Sequence, residues 1–560
     1  MKNHEKKKST PAIRMQVKVV AVALLVFLLW GTGASANNIT VTNGVLTGQN
    51  TGSKYTMVQF DISWNNSWRV STGPSNWDAA WVFVKYRVPV SNGGDGLWKT
   101  AWLNDTGHTA PSGSSLDIGL LTPGTAFNAT TNPGLGAFIY NSSNSTGTFL
   151  KTGVQLRWNY GANFKTGSTP IGDNDMIDIQ VFAIEMVYAP TGAFTVGSGG
   201  TEGSEGGGFT NGSWTSGATI ALSISSENAL TIGQSAGNLW GTSNTGQSTI
   251  GPAGVLAASF PKGYAAFYCM KYELSQQQYV DFLNTLTRSQ QTSRVVTTIT
   301  SGITSITNRY VMSNSATLAN RNGIRCGATI PATDPVRFYC DFNGNGIGGE
   351  SDDGLCIPSN LLFWPDLTAY LDWSGLRPMT ELEFEKACRG TLAPVTNEYA
   401  WGTISYPLSL YTINNSGTNN EVIASNYATA NCTWSTSITS GPLRSGIFAG
   451  TSGNTGRSTA GATYYGIMEM SGNLFENTVT VGNATGRAFI GTHGDGVLDS
   501  SGNADASTWP GADGVGAGFR GGGWGGGISN ARISSRIYAA GTNVTTRNAS
   551  YGARGIRTAP

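Results

Sequence analysis

Short runs in which apolar and polar residues alternate dominate the first third of the chain. The clearest are YTMVQFDISW, AAWVFVKYRV and MIDIQVFAIEMVY, which span residues 55–64, 79–88 and 176–188. Clusters of Gly, Asn, Ser and Pro separate these runs, and such alternation is typical of strands with one buried face. The pattern predicts an antiparallel β-sandwich over residues 37–192. The chain as a whole is predicted to be mostly β, with an α+β C-terminal domain.

Tryptophan is unusually dense in the predicted sandwich. Six of these residues are Trp64, Trp68, Trp77, Trp81, Trp98 and Trp102. Exposed aromatic faces could form a platform for a carbohydrate, whereas buried ones would fill the core and the strand edges. We favour packing, because aromatic side chains supply large apolar area to β-sandwich cores.

Composition limits the partners of the chain and marks a boundary within it. The net charge is only +1 and charged residues make up 12% of the sequence, so nothing indicates a nucleic-acid partner. The Gly/Ser-rich stretch TGAFTVGSGGTEGSEGGGFTNGS begins at residue 191. It predicts a flexible linker or a long hairpin loop, and residues 193–255 are expected to hold this linker and lead-in strands.

The N-terminus has the pattern of a secretory signal. An apolar run over residues 19–30 is followed by Ala34-Ser35-Ala36 and preceded by basic residues, namely Lys6, Lys7, Lys8, Arg14 and Lys18. We expect residues 1–36 to be a cleaved signal peptide, because the run is too short to span a membrane comfortably. The alternative is an uncleaved anchor. The mature protein is predicted to be secreted, periplasmic or at the cell surface, with no transmembrane segment.

Six cysteines lie between residues 269 and 432: Cys269, Cys326, Cys340, Cys356, Cys388 and Cys432. An even number in an oxidising compartment permits up to three disulfides. Spacing does not fix the pairing, although Cys340 and Cys356 flank one short loop and are the best candidates. Zinc is not expected, because no CxxC occurs and the three histidines are far apart in sequence.

The loop CDFNGNGIGGESDDGLC has the spacing of a calcium-binding loop. Asp341, Asn343, Asn345 and Gly346 match positions 1, 3, 5 and 6 of an EF-hand-type loop, and Asp352 falls at position 12. Side-chain oxygens at alternate positions can converge on one cation. The alternative is a surface loop rich in Asx turns, because the flanking sequences are not helical.

Five motifs follow one another in the last 300 residues, and two of them begin helices. Ser275 with Gln278 and Thr380 with Glu383 have the spacing of capping boxes. The motifs are Met270 to Glu273, Arg377 to Glu381, Gly466 to Asn477, Arg520 to Trp524 and Gly555 to Arg557. In this order they resemble the formylglycine-generating enzyme family, also called sulfatase-modifying factors. The resemblance implies a C-type-lectin-like fold with long loops over residues 256–560.

The resemblance also implies a chemistry that this sequence does not support. Members of the family oxidise a sulfatase cysteine to formylglycine, using oxygen and a copper(I) held by two thiolates. Here Gly526 and Ala531 stand near those two positions, and no cysteine follows Cys432. Because glycine and alanine offer copper no ligand, copper is not expected. Relatives that use iron held by three histidines are a poorer match.

Calcium is better supported by the resemblance. One structural calcium site of the family maps to Glu469, Gly472, Leu474 and Glu476, and Asn426 weakly matches a second. Hard oxygen ligands suit Ca²⁺. The alternative is that Glu476 only accepts hydrogen bonds from loop amides.

We therefore expect an exported protein whose C-terminal domain is a non-catalytic binding or scaffolding module. Its candidate binding residues are Trp524, Arg532 and Arg536, around the place of the missing cysteines. One alternative is a divergent oxidase that uses other cysteines, such as Cys326 or Cys432. A second is a calcium-dependent glycan-binding surface protein. The partner would be an unknown protein or polysaccharide at the cell surface.

Overall fold

The computed structural model describes residues 38–200, 207–212, 220–243, 246–435, 440–541 and 543–560. The predicted signal peptide lies outside these ranges. The expectation of a mostly β fold with few helices is confirmed. Within the described part of the chain, no helix is both long and apolar enough to cross a membrane.

Ten strands form the N-terminal region. They are β1 (Thr40–Asn50), β2 (Tyr55–Arg69), β3 (Asp78–Arg87), β4 (Lys99–Thr100), β5 (Ser114–Leu120), β6 (Gly134–Asn141), β7 (Ser145–Trp158), β8 (Phe164–Thr166), β9 (Thr169–Pro170) and β10 (Asp178–Ala189). Strands β1, β2 and β7 form one antiparallel sheet. A second antiparallel sheet includes β10, β3, β6 and β5 in that order, with β4 paired to β3. Alternate residues of β2, including Phe60 and Trp64, face the apolar core between the two sheets.

Strand β3 is buried on both faces. Val82 and Val84 lie in the sandwich core, whereas Trp81 and Phe83 belong to the core of the C-terminal region. The run AAWVFV is continuously apolar because each face of this strand contacts a different apolar layer. Trp64 and Trp81 are therefore core residues, as the favoured interpretation predicts.

The second sheet continues into the C-terminal region. Strand β17 (Phe267–Met270) pairs with β10, and β25 (Ile556–Thr558) pairs with β17. Directly after β17, the buried Lys271 Nζ lies 3.2 Å from Asp78 Oδ2 and 3.1 Å from Glu185 Oε2. Backbone hydrogen bonds and a buried ion-paired group thus join the two regions.

Short paired strands occur within the described residues of the predicted linker. Its short strands are β11 (Phe194–Val196), β12 (Phe209–Thr210), β13 (Leu222–Ile224), β14 (Leu230–Ile232), β15 (Trp240–Gly241) and β16 (Gly254–Leu256). They pair as β11–β13, β12–β15 and β14–β16, and their apolar side chains join the large C-terminal core. The division of residues 193–255 into a linker and lead-in strands stays a prediction, since residues 201–206 and 213–219 of the Gly/Ser-rich stretch lie outside the described ranges.

The remaining C-terminal elements are short and separated by long loops. The helices are α1 (Gln276–Leu283), α2 (Arg288–Arg294), α3 (Trp364–Trp373), α4 (Glu381–Arg389), α5 (Arg457–Ala460) and α6 (Ala484–Arg487). The strands are β18 (Ile324–Cys326), β19 (Phe338–Cys340), β20 (Ile413–Asn414), β21 (Val422–Ile423), β22 (Phe475–Val479), β23 (Ala517–Arg520) and β24 (Tyr551–Gly552). Both predicted capping boxes are present, at the starts of α1 and α4.

Charged residues of α4, of strand β23 and of the loop after β23 form a buried network. Glu381 accepts hydrogen bonds from Arg536 Nε at 2.7 Å and from Arg520 Nη1 at 3.2 Å. Glu385 accepts from Arg520 Nη2 at 2.8 Å and from Arg389 Nη1 at 3.2 Å. These groups are fully buried, so each charge depends on its partner for solvation. These ion pairs hold α4 against strand β23 and the loop after it.

All six cysteines lie among the described residues and carry free thiols. The expected bond between Cys340 and Cys356 is therefore not formed. Cys340 ends strand β19 inside the apolar core, whereas the half-buried Cys356 contacts Asn419 Oδ1 through its sulfur at 3.6 Å. Closeness in sequence did not bring these two sulfurs together, because the strand fixes one of them in the core.

Candidate functional site

The loop that follows β23 contains Gly526 and Ala531, near the family's two cysteine positions. Ala531 is buried in an apolar cluster with Tyr399, Trp401 and Cys432. The rings of Tyr399 and Trp401 are stacked, with centroids 5.1 Å apart. Ser471 Oγ donates a hydrogen bond of 2.6 Å to the Ala531 carbonyl. The packing fills the space around Ala531 with aromatic side chains.

One thiol, that of Cys432, packs in the same apolar cluster as Ala531. Burial raises the pKa of this thiol. Cys326 belongs to a different apolar cluster, so the two cysteines of the oxidase alternative are not brought together. Copper(I) in this family requires two thiolates, and thiols with raised pKa are poor ligands and nucleophiles. The residues present do not fit a two-thiolate copper centre.

The predicted binding residues differ in their exposure. Arg536 is fully buried against Glu381, so its guanidinium is not available to an external ligand and the expectation for it does not hold. Trp524 is 8% exposed and donates its indole N–H to the Ala549 carbonyl at 2.8 Å. Arg532 is half-buried and hydrogen-bonds Tyr399, whose pKa burial raises to about 12. Of the three, Arg532 alone keeps substantial exposure.

The predicted family calcium residues lie on the turn before β22 and at the start of that strand, where Glu476 is the second residue. Glu469 Oε1 accepts the Gly446 N–H at 2.7 Å, and Glu476 Oε1 accepts Arg554 Nε at 2.5 Å. The second oxygen of each carboxylate is buried and has no hydrogen-bond partner among the described residues. Burial raises the pKa of Glu469 to about 7, and that of Glu476 is also raised. Two unpartnered carboxylate oxygens fit the donor chemistry of Ca²⁺.

Two charged groups near this turn were missed in the sequence. Arg554 also donates to the carbonyls of Met270 and Met468, each at 2.7 Å. Glu273 is fully buried and accepts the Leu474 N–H at 2.8 Å. Glu273 ends the first of the five motifs and Arg554 directly precedes the last, so their place in the sequence could have indicated a role at this turn. Arg554 supplies one positive charge at Glu476, and calcium would supply charge at the remaining oxygens.

The predicted calcium loop departs from the expected ligand set. Asp341 forms a buried ion pair with Arg325, although its Oδ2 also accepts the Gly346 N–H at 3.0 Å. Asn343 and Asn345 remain in the loop, with their side-chain nitrogens directed to Glu350. Asp352 is exposed and lies close to Glu350. Arg325 lies on β18, and the spacing of the loop residues carried no information about it.

Aromatic side chains line a cleft between the sandwich and the C-terminal region. Its walls enclose about 290 Å³ and include Trp98, Trp102 and Phe164 from the sandwich, with Leu286 and Trp373 opposite. Trp98 and Trp102 are half-buried, so part of each ring reaches the cleft. The Trp373 indole N–H is buried and has no hydrogen-bond partner among the described residues. Apolar walls with a free donor are typical of a small-molecule site.

The fold, the buried network around α4 and the order of the motifs together define a formylglycine-generating-enzyme-like domain. The family described as sulfatase-modifying factor enzyme 1-like domain matches residues 245–559, which is more than half of the chain. The chain therefore belongs to this family. No curated protein matches the chain.

Proposed function

We propose that the protein is an exported, non-catalytic member of this family that serves as a binding or scaffolding module. The observation that carries the proposal is the packing of Ala531 against Tyr399, Trp401 and Cys432. A pair of thiolates is replaced by Gly526 and a buried methyl group, and one buried neutral thiol does not restore it. Export rests on the sequence pattern of the first 36 residues.

The shared sheet supports a scaffolding role. Strands β17 and β25 of the family domain complete a sheet that begins in the N-terminal sandwich. Trp81 Nε1 donates to the Ser374 carbonyl at 2.8 Å, which adds a buried contact between the two regions. The family domain thus presents the sandwich in a fixed orientation, as a scaffold requires.

The aromatic cleft is the favoured binding site. Sugars place their C–H faces on aromatic rings and their hydroxyls on polar groups, and the cleft offers Trp98, Trp102 and the free indole N–H of Trp373. These side chains support a glycan-binding role, for which we propose this cleft and not the surroundings of Ala531. Unlike the calcium-dependent alternative, retention at this cleft is expected without calcium, because none of the described residues that line it is Asp or Glu.

Copper titration and thiol counting test the non-catalytic proposal. The purified protein is titrated with Cu(I) in competition with a chelator, and its thiols are counted in native and unfolded states. We expect six thiols after unfolding and no stoichiometric copper. One bound copper per chain that is lost in Cys432→Ser would refute the proposal and favour the divergent oxidase.

Polysaccharide retention tests the binding site. Trp98→Ala is expected to weaken retention about tenfold, which corresponds to roughly 1.4 kcal/mol. Trp434→Ala is the matched control, because Trp434 is a half-buried tryptophan packed near Ala531 and not in the cleft. Equal losses in both variants, or retention abolished by chelator, would contradict a calcium-independent cleft.

A further inference from the structure

Three acidic side chains converge at the end of the loop that follows β19. Glu350, Asp352 and Asp353 each place one carboxylate oxygen within 4.8 Å of the others. Like charges at such separations repel, and the repulsion is strong where water is excluded. Asp353 is fully buried, and burial followed by the charges of Glu350 and Asp352 raises the pKa of this carboxyl to about 6. A cation would remove the repulsion.

A second observation also indicates a ligand. Asp353 Oδ2 accepts the Glu350 N–H at 2.7 Å, whereas its Oδ1 is buried and has no hydrogen-bond partner among the described residues. A buried carboxylate oxygen without a partner is costly, because it has lost its water. The unpartnered oxygen belongs to the same carboxylate that faces Glu350 and Asp352.

Two asparagine side chains border the acidic group with their amide nitrogens. Asn345 Nδ2 is 2.5 Å and Asn343 Nδ2 is 3.4 Å from Glu350 Oε2, so both amide groups border this carboxylate. The amide oxygens face the loop backbone, since Asn343 Oδ1 accepts the Asn345 N–H at 2.9 Å and Asn345 Oδ1 accepts the Ile347 N–H at 2.8 Å. The two asparagines therefore position the Glu350 carboxylate. Asp341 differs, because Arg325 already neutralises it.

We propose that this loop binds one calcium ion through the carboxylates of Glu350, Asp352 and Asp353, with Asn343 and Asn345 beside them. The set keeps three of the residues expected from the sequence and replaces Asp341 with Glu350 and Asp353. Calcium is favoured over magnesium and transition metals, because all donors are oxygens on an irregular loop. The proposal holds whether or not the family domain is catalytic.

Calcium at this site would fix the loop to the family domain. Asn419 donates its backbone N–H to the Ser351 carbonyl at 3.0 Å, and Gly354 donates to the Gly417 carbonyl at 2.8 Å. These bonds flank the acidic group on the chain. Ion binding to the folded protein alone raises stability by mass action, so the effect is measurable as a shift in Tm.

Terbium luminescence and calorimetry on the full chain test the site. Tyr339 packs against Gly348 of the same loop, and its ring is the intended sensitiser for Tb³⁺. We expect one Tb³⁺ per loop, displaced by Ca²⁺ with a Kd between about 10 μM and 1 mM. We also expect Tm to rise by at least about 2 °C in calcium compared with EDTA.

Variants locate the ion. Asp353→Asn and Glu350→Gln should each weaken Ca²⁺ binding at least tenfold, and the half-buried Glu350 gives a result even if the Asp353 variant folds poorly. Asp495→Asn is the matched control, because Asp495 belongs to a separate acidic group with Asp372 and Asp505. Glu469→Gln separates this loop from the family calcium turn. The proposal is overturned if Ca²⁺ does not bind, or if Glu350→Gln binds it as the wild type does.

Discussion

Replacing Lys271 by methionine tests whether the two regions fold as one unit. The Lys271 ammonium is 1% exposed and lies between Asp78 and Glu185. Burial acts to lower its pKa, but Tyr272, Glu185 and Asp78 outweigh burial and raise it, so the group is charged. Methionine has a similar length and no charge, so the variant removes the cation with little change in volume.

The expected loss of unfolding free energy depends on the hydrogen bonds that the two carboxylates keep in the variant. Asp78 keeps three donors in the variant: Trp64 Nε1 at 2.9 Å, Ser67 Oγ at 2.7 Å and the Trp68 N–H at 3.0 Å. Glu185 loses its charged partner, and its Oε1 already lacks a hydrogen bond among the described residues. Leaving one buried charge unpaired costs about 3–5 kcal/mol of unfolding free energy.

Urea unfolding followed by tryptophan fluorescence and circular dichroism measures this cost at pH 8. We expect both signals to report one transition, because β10 and β17 share a sheet. Lys271→Met/Glu185→Gln should recover most of the loss, since it removes the unpaired charge. The control Lys54→Met breaks a 2.7 Å pair whose lysine is 51% exposed, and it should cost less than about 1 kcal/mol. A cost below about 1 kcal/mol for Lys271→Met, or no recovery in the double variant, would refute the reasoning.

Three further predictions concern pH, thiols and one glycine. Burial, with Arg557 and Arg377, lowers the pKa of His493 well below its ordinary value. The unfolded chain takes up this proton near pH 6.5, whereas the folded protein does not. The unfolding free energy should therefore fall by about 1.4 kcal/mol for each pH unit as the pH is lowered from 6.5 to 5. His493→Gln should lack this part of the pH dependence in urea titrations. In the native protein an aromatic disulfide reagent should react with at most one thiol, since five of the six cysteines are buried. Cys356→Ser should abolish that reaction. Fast labelling of two or more thiols would contradict the packing. Gly390→Ala should be strongly destabilising in thermal melts, because a Cβ there would lie 2.0 Å from Tyr464 Cδ1, whereas Gly453→Ala meets no atom within 4 Å and should show only the smaller cost of its positive φ.

Local patterns in the sequence predicted the strands and helix starts well. The alternation in β2 and the capping boxes at Ser275 and Thr380 depend on neighbours within a few residues, so a single sequence carries them. The burial of the Cys340 thiol and the ion pair of Asp341 were not predictable in this way. Strand β19 buries the thiol, and Arg325 on the adjacent strand pairs with the carboxylate.

The sequence by itself was enough to predict the family, and the family match over residues 245–559 confirms it. The absence of the family's thiol pair stays a prediction from the sequence. Five motifs in order are enough to specify the domain, and the identity of Gly526 and Ala531 is a property of the sequence alone. The tertiary structure decided which of the expected site residues are accessible. Arg536 was expected to meet a ligand, but it is buried against Glu381, since solvation of a charge depends on its spatial neighbours.

The tertiary structure also decided how the two regions join. The sequence of strand β3 predicts an ordinary sandwich strand with one buried face. Both faces are buried, because the family domain covers the face that points away from the sandwich core. Strands β17 and β25 extend the same sheet from positions roughly 80 and 370 residues beyond β10. Pairing over such separations depends on the packing of the whole molecule, which local sequence periodicity does not encode.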